Sequence, residues 1–99
     1  MAAPLAREVR LDPATQEVTL AGRPVALQRK EFLLLHQLLS QPGRVFTREK
    51  LEEALYGWDE AAESNALEVH VHHLRRKIDP GIVRTVRGVG YALGAPAEP

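Results

Sequence analysis

The chain has 99 residues, 44% hydrophobic and 26% charged, enough for one globular domain and too apolar for a disordered tail. It holds no cysteine, which excludes disulfide scaffolds, cysteine zinc sites and thiol nucleophiles. Its 13 basic and 13 acidic side chains cancel, and no apolar run nears the roughly 18 residues of a membrane span, so a cytoplasmic domain with no membrane partner is expected.

Residues 1–6 have no period and contain a Pro, reading as a linker or remnant of a longer chain. A domain over residues 7–94 follows, and the Pro/Ala-rich residues 95–99 read as a frayed tail. From Arg7, Val9 and Leu11 alternate with polar residues, Asp12-Pro13-Ala14-Thr15 turns, and Val18 and Leu20 continue as a second strand. Ala21-Gly22-Arg23-Pro24 reads as another turn, leading into a third strand at Val25–Leu27. Arg29–Ser40 is a helix: Phe32, Leu33, Leu35, His36 and Leu39 recur at three- and four-residue spacings, widened by Leu34 and Leu38, and Gln41-Pro42-Gly43 stops it. Thr47 caps a second helix, Arg48–Leu55, with Leu51, Ala54 and Leu55 inward. A loop over Tyr56–Glu63 leads to a third helix, Asn65–Ile78, ended by Asp79-Pro80-Gly81. Ile82–Val86 and Tyr91–Leu93 form a hairpin around Arg87-Gly88-Val89-Gly90, whose glycines supply positive φ. The fold class is α+β: an N-terminal antiparallel sheet, three helices and a C-terminal β-hairpin, a winged helix-turn-helix.

The zero net charge conceals an uneven distribution. Between Ser64 and Arg87 stand Arg75, Arg76, Lys77, Arg84 and Arg87 against Glu68 and Asp79, while Glu49, Glu52, Glu53, Asp59, Glu60 and Glu63 crowd together upstream. On the third helix, Leu67, Val71, Leu74 and Ile78 fall within about 60° of one another and face the core. The opposite arc holds Asn65, Glu68, Val69, His72, His73 and Arg76. Asn pairs with adenine, Arg with guanine, and a valine among cations suits a thymine methyl. A solvated polar face is the bland alternative, and the adjoining wing weighs against it. Ser64 can donate to a phosphate from the helix start, or act as a plain cap. His70 and Arg75 lie on the flanks, where phosphate contact fits better than base contact; for His70, burial with a satisfied hydrogen bond is the other reading. Arg87, at the wing tip, is placed to enter a minor groove.

His70 and His73 are one turn apart, but His72 projects about 160° from His70 and no third ligand is near, so no metal site is expected. Gly88-x-Gly90 precedes a strand and lacks a third glycine, so it is no dinucleotide fingerprint. No nucleophile–base–orienter set is present. The chain is expected to be neither an enzyme nor a cofactor protein.

Leu27-x-x-x-Glu31-Phe32-x-Leu34-Leu35, Arg48-x-x-Leu51, Glu68-Val69-His70-Val71-x-x-Leu74-Arg75-Arg76-Lys77-Ile78 and Thr85-Val86-Arg87-Gly88-Val89-Gly90-Tyr91 resemble the C-terminal effector domain of OmpR/PhoB-type response regulators. The segment Ser64–His73 is most similar to the PmrA/QseB branch. The resemblance implies that Tyr56 abuts the sugar–phosphate backbone, Thr85 touches a phosphate, Arg87 enters the minor groove, and Tyr91 packs beneath the wing within reach of a phosphate. It implies sequence-specific binding of double-stranded promoter DNA at direct-repeat half-sites by a head-to-tail tandem pair. It also implies an N-terminal receiver domain answering to a sensor kinase, and an RNA polymerase contact at Asp59, Glu60 and Glu63. The rival reading is a protein-interaction module that kept the winged fold without DNA.

Overall fold

A computed structural model describes residues 9–57 and 65–94. The linker expected at 1–6, the tail at 95–99, and Ser64, Asp59, Glu60 and Glu63 lie outside the described residues.

The chain opens with an antiparallel sheet in the order β1 (Val9–Asp12), β2 (Glu17–Leu20), β3 (Arg23–Val25). Asp12 builds the first turn: its side chain accepts the Ala14 N–H at 3.0 Å, and its carbonyl accepts the Gln16 N–H at 2.6 Å. β3 starts two residues before the expected Val25 and takes in Pro24. A proline is tolerated there because β3 is an edge strand. Alternation turns Val9 and Val18 inward, where both are buried.

Helix α1 (Arg29–Ser40) keeps its expected bounds. Phe32, Leu34, Leu35 and Leu38 are buried, with Glu31 among them, whereas His36 is exposed rather than on the apolar stripe. A strand missed in the sequence follows: β4 (Val45–Thr47), whose last residue is the expected cap. Thr47 then begins α2 (Arg48–Tyr56), its hydroxyl accepting the Lys50 N–H at 3.2 Å. Leu51 and Leu55 point inward, but Ala54 is exposed, since it lies about 60° round the helix from Leu51 on the side away from Leu55. Helix α3 runs Ala66–Lys77, with Asn65 at the N-cap position and Ile78 at the C-cap, one residue shorter at each end than expected.

The wing is β5 (Val83–Val86) and β6 (Gly90–Leu93), and β6 lies between β5 and β4. Gly88 at its tip has φ +76°. Gly90 is needed for a different reason from the one expected: its φ is not positive, but a Cβ there would collide with the Phe46 carbonyl of β4. One core joins all these elements, with Phe32, Leu34, Leu35 and Leu38 of α1 against Leu51, Leu55, Leu67, Val71 and Leu74 of the other helices.

Candidate nucleic-acid interface

The core stripe of α3 is as the spacing predicts: Leu67, Val71, Leu74 and Ile78 are all buried. Asn65, Glu68, Val69, His72 and Arg76 are exposed on the opposite side. Val69 and Val89 are the large apolar residues left exposed among the described residues, one on α3 and one at the wing tip. Arg84, Thr85 and Arg87 are exposed along the wing. Between the start of α2 and the wing lies an open groove of about 520 Å³, lined by Thr47, Arg48, Thr85, Arg87, Gly88 and Tyr91. Tyr91 is buried beneath the wing, opposite Phe46 on one side and Thr85 on the other.

The flanks of α3 are tied to their neighbours. Arg75 donates from Nε and Nη2 to the Val83 carbonyl, at 3.2 and 2.9 Å, and from Nη2 to Thr85 Oγ1 at 2.9 Å. It therefore fixes the first wing strand to the helix. Because Thr85 Oγ1 accepts from Arg75, its own hydroxyl hydrogen is left to point elsewhere. Arg48 at the start of α2 pairs with Glu68 in the first turn of α3, Nη2 to Oε1 at 2.8 Å, and also with Glu52 at 3.5 Å. The hydrogen bond to Glu68 raises the Arg48 pKa, and the same bond lowers that of Glu68. One acidic side chain on the outward arc is thereby neutralised by a cation.

On another flank, His70 Nε2 and the Tyr56 hydroxyl are hydrogen-bonded at 2.8 Å, and the Lys30 ammonium lies 4.5 Å from the centre of the Tyr56 ring. His70 Nδ1 is buried without a partner among the described residues. Burial, foremost, lowers the His70 pKa; Glu31 opposes the shift, and His73 and Lys30 add to it. The His70 ring is therefore half-buried, as its burial reading expects, but with only one of its two nitrogens satisfied.

His73 departs from the outward arc. Its half-buried ring reaches Glu31 on α1, Nδ1 to Oε2 at 2.8 Å, beside Lys77, whose ammonium donates to Oε1 at 2.7 Å. The helical wheel puts His73 at the edge of the polar arc, and a buried carboxylate on the next helix draws it inward. Burial pushes the Glu31 pKa up, but the hydrogen bonds from Lys77, the Gln28 N–H and His73, together with the Lys77 charge, outweigh it and hold the carboxyl below its usual range. Glu31 stood in a sequence motif without a role, although it falls on the apolar stripe with Leu34, Leu35 and Leu38, where a charge demands a partner. No group of three or more side chains able to hold a metal occurs among the described residues, and none of their helices is long and apolar enough to cross a membrane.

Two helices of a helix-turn-helix, braced by a third and flanked by a β-hairpin with an arginine at its tip, define the winged-helix DNA-binding class. Comparison with known proteins narrows this: the chain belongs to the family of C-terminal domains of transcriptional regulatory proteins, whose pattern matches residues 22–93. It is 56% identical over 90 residues to the response regulator protein PmrA of Pseudomonas aeruginosa, covering 91% of this chain and 41% of that one. It is also 56% identical over 86 residues to the transcriptional regulatory protein QseB of Escherichia coli O157:H7, covering 87% and 39%. Thus the chain spans about two fifths of the length of these relatives. Among solved structures, the Klebsiella pneumoniae RstA DNA-binding domain in complex with the RstA box superposes with a TM-score of 0.77 at 28% identity, covering 88% of this chain and 91% of that one. The fold is that of an OmpR/PhoB-type response-regulator DNA-binding domain.

Proposed function

We propose that this domain binds duplex promoter DNA sequence-specifically, with α3 in the major groove and Arg87 in the minor groove, as the output module of a two-component response regulator in the bacterial cytoplasm. The observation that carries the reading is the outward arc of α3: exposed Asn65, Val69, His72 and Arg76 stand beside an exposed wing arginine. A merely solvated face has no use for an exposed valine at its centre. Thr85 and Arg75 serve phosphate binding together, the first as the donor and the second as its brace. Tyr56 supplies an aromatic flank, and Ser64 a helix-start donor. Tyr91 lines the groove where a phosphate oxygen would lie.

The surface outside this face carries no large apolar patch among the described residues, so the free domain is monomeric. It pairs head to tail only on direct-repeat half-sites, which raise the effective concentration of one copy near the other. In the longer relatives' manner, a receiver domain answering to a sensor kinase promotes the same pairing, and Asp59, Glu60 and Glu63 face RNA polymerase.

Salt titration of binding to promoter fragments tests the reading. Neutralising about six phosphates gives a slope of log K against log salt near −5. A salt-independent interaction, or none, would favour the protein-interaction module instead. Asn65→Ala should remove preference at one base pair and cost about 1–3 kcal/mol on the best site. A uniform loss across a site library would make Asn65 a backbone contact.

A further inference from the structure

Glu31 is fully buried, the one charged side chain so placed among the described residues, and it joins α1 to α3. Its Oε1 accepts the Gln28 N–H at 3.0 Å and the Lys77 ammonium at 2.7 Å; its Oε2 is bonded to His73 Nδ1 at 2.8 Å. An ionised carboxylate only accepts, so the hydrogen in the last bond sits on His73 Nδ1. In a neutral imidazole the other nitrogen, Nε2, then carries a bare lone pair. The His73 side chain is 36% exposed, and the single buried unpartnered side-chain nitrogen or oxygen among the described residues belongs to His70, so Nε2 of His73 meets solvent. On α3 it lies three residues from Arg76, about 60° round the helix, at the border of the outward arc.

We propose that His73 is a specificity-determining residue that reads a base-pair amine, and that Glu31 is the positioning residue that fixes its tautomer. The proposal rests on α3 being the major-groove helix. A lone pair on Nε2 accepts from adenine N6 or cytosine N4, the amines exposed in the major groove. It repels phosphate oxygens and the guanine O6 and N7 acceptors. The charge of Glu31 is matched by Lys77, so the carboxylate asks of His73 only an N–H. A histidine that would otherwise present either nitrogen is committed to one.

Three measurements test this. The long-range ¹⁵N spectrum of the free wild-type domain should show the neutral His73 ring protonated on Nδ1; a proton on Nε2, or on both nitrogens at pH 7.5, would overturn the proposal. Selection from a randomised site library should show His73→Ala losing preference for adenine or cytosine at one position, by about tenfold, and Glu31→Gln losing it at that same position. Removing the amine from that base, with purine in place of adenine or 2-pyrimidinone in place of cytosine, should weaken wild-type binding by about tenfold and leave His73→Ala unaffected. The spectrum and the amine-free probe use the wild-type protein, so neither depends on the folding of Glu31→Gln. Unchanged preference in His73→Ala, alongside lost preference in Asn65→Ala, sinks the proposal and spares the groove reading. A wild-type domain with no base preference anywhere sinks both.

Discussion

Two histidines one turn apart on α3 meet opposite surroundings. His70 leans on Tyr56 of α2, with one nitrogen bonded to a phenol and the other buried and bare. His73 leans on α1, where a fully buried carboxylate takes its N–H and a lysine balances the charge. The first flank is sealed by a neutral ring and the second by an ion pair. A histidine's part on this helix is thus set by what the adjoining helix presents to it, since the two rings occupy neighbouring turns of one helix.

The sharpest way to break this contrast is to remove the balancing charge. Lys77→Met should destabilise the domain by about 2 kcal/mol, less than for a fully buried pair because Lys77 itself is exposed and because His73 and the Gln28 N–H still bond the carboxylate. By comparison, His70→Phe should change stability by less than about 1 kcal/mol, since it gives up one hydrogen bond and removes one orphaned nitrogen. Chemical denaturation at pH 7 measures both; equal costs would erase the distinction between the flanks.

Acidification separates the flanks by pH window. The folded state holds the His70 pKa below its usual 6.5, so the unfolded chain takes up that proton first, and stability falls as the pH drops from about 6.5 through the lower folded value. Glu31 is also held low, so its stabilisation is present above 4.5 and is lost as the pH falls from there through its own folded value. Denaturation midpoints should therefore decline in two stages, with the first absent in His70→Phe and the second reduced in Glu31→Gln to what the exposed Glu68 contributes. A first stage that survives His70→Phe would assign it to another group.

Comparable or smaller effects are expected on the remaining flanks. Arg75→Ala removes donors to the Val83 carbonyl and Thr85 and should cost about 2 kcal/mol of stability, visible in the thermal midpoint. It should weaken DNA binding further by releasing Thr85. Glu68→Gln breaks an exposed pair, so stability should move by less than about 0.5 kcal/mol. Removing that negative charge should instead raise DNA affinity modestly and alike for all sequences, as a salt titration would show.

Periodicity was enough to place α1, the inward stripe of α3 and the hairpin, because each depends on neighbours three, four or two residues away. Where the expectation slipped, the deciding partner was distant in sequence. β4 is three residues long and exists only by pairing with β6, some 45 residues on. The role of Glu31 depends on side chains 42 and 46 residues downstream. One local clue was available: Gln28-x-x-Glu31 has the form of a capping box, and the Gln28 N–H does donate to the carboxylate. Burial of that same carboxylate on the apolar stripe was the second clue, and together they call for a cation from another element. The hold of Glu31 on His73 Nδ1 was hidden for the same reason, as a helical wheel records angle but not what stands beside it.

Gly90 has a mechanical consequence. Its bare Cα lets β6 close against Phe46, and β4 runs directly through Thr47 into α2, while Arg75 clamps β5 to α3. The root of the wing is therefore joined to both helices of the helix-turn-helix, like the fixed jaws of a calliper, and only residues 87–89 project beyond the paired strands. A jaw of fixed span does not swing to meet a groove that is too wide or too near. If the wing enters a groove as proposed, the duplex would do the bending, and its sequence-dependent stiffness would set the cost. On that reading the fold would gauge the shape of DNA at the wing even where no base is touched.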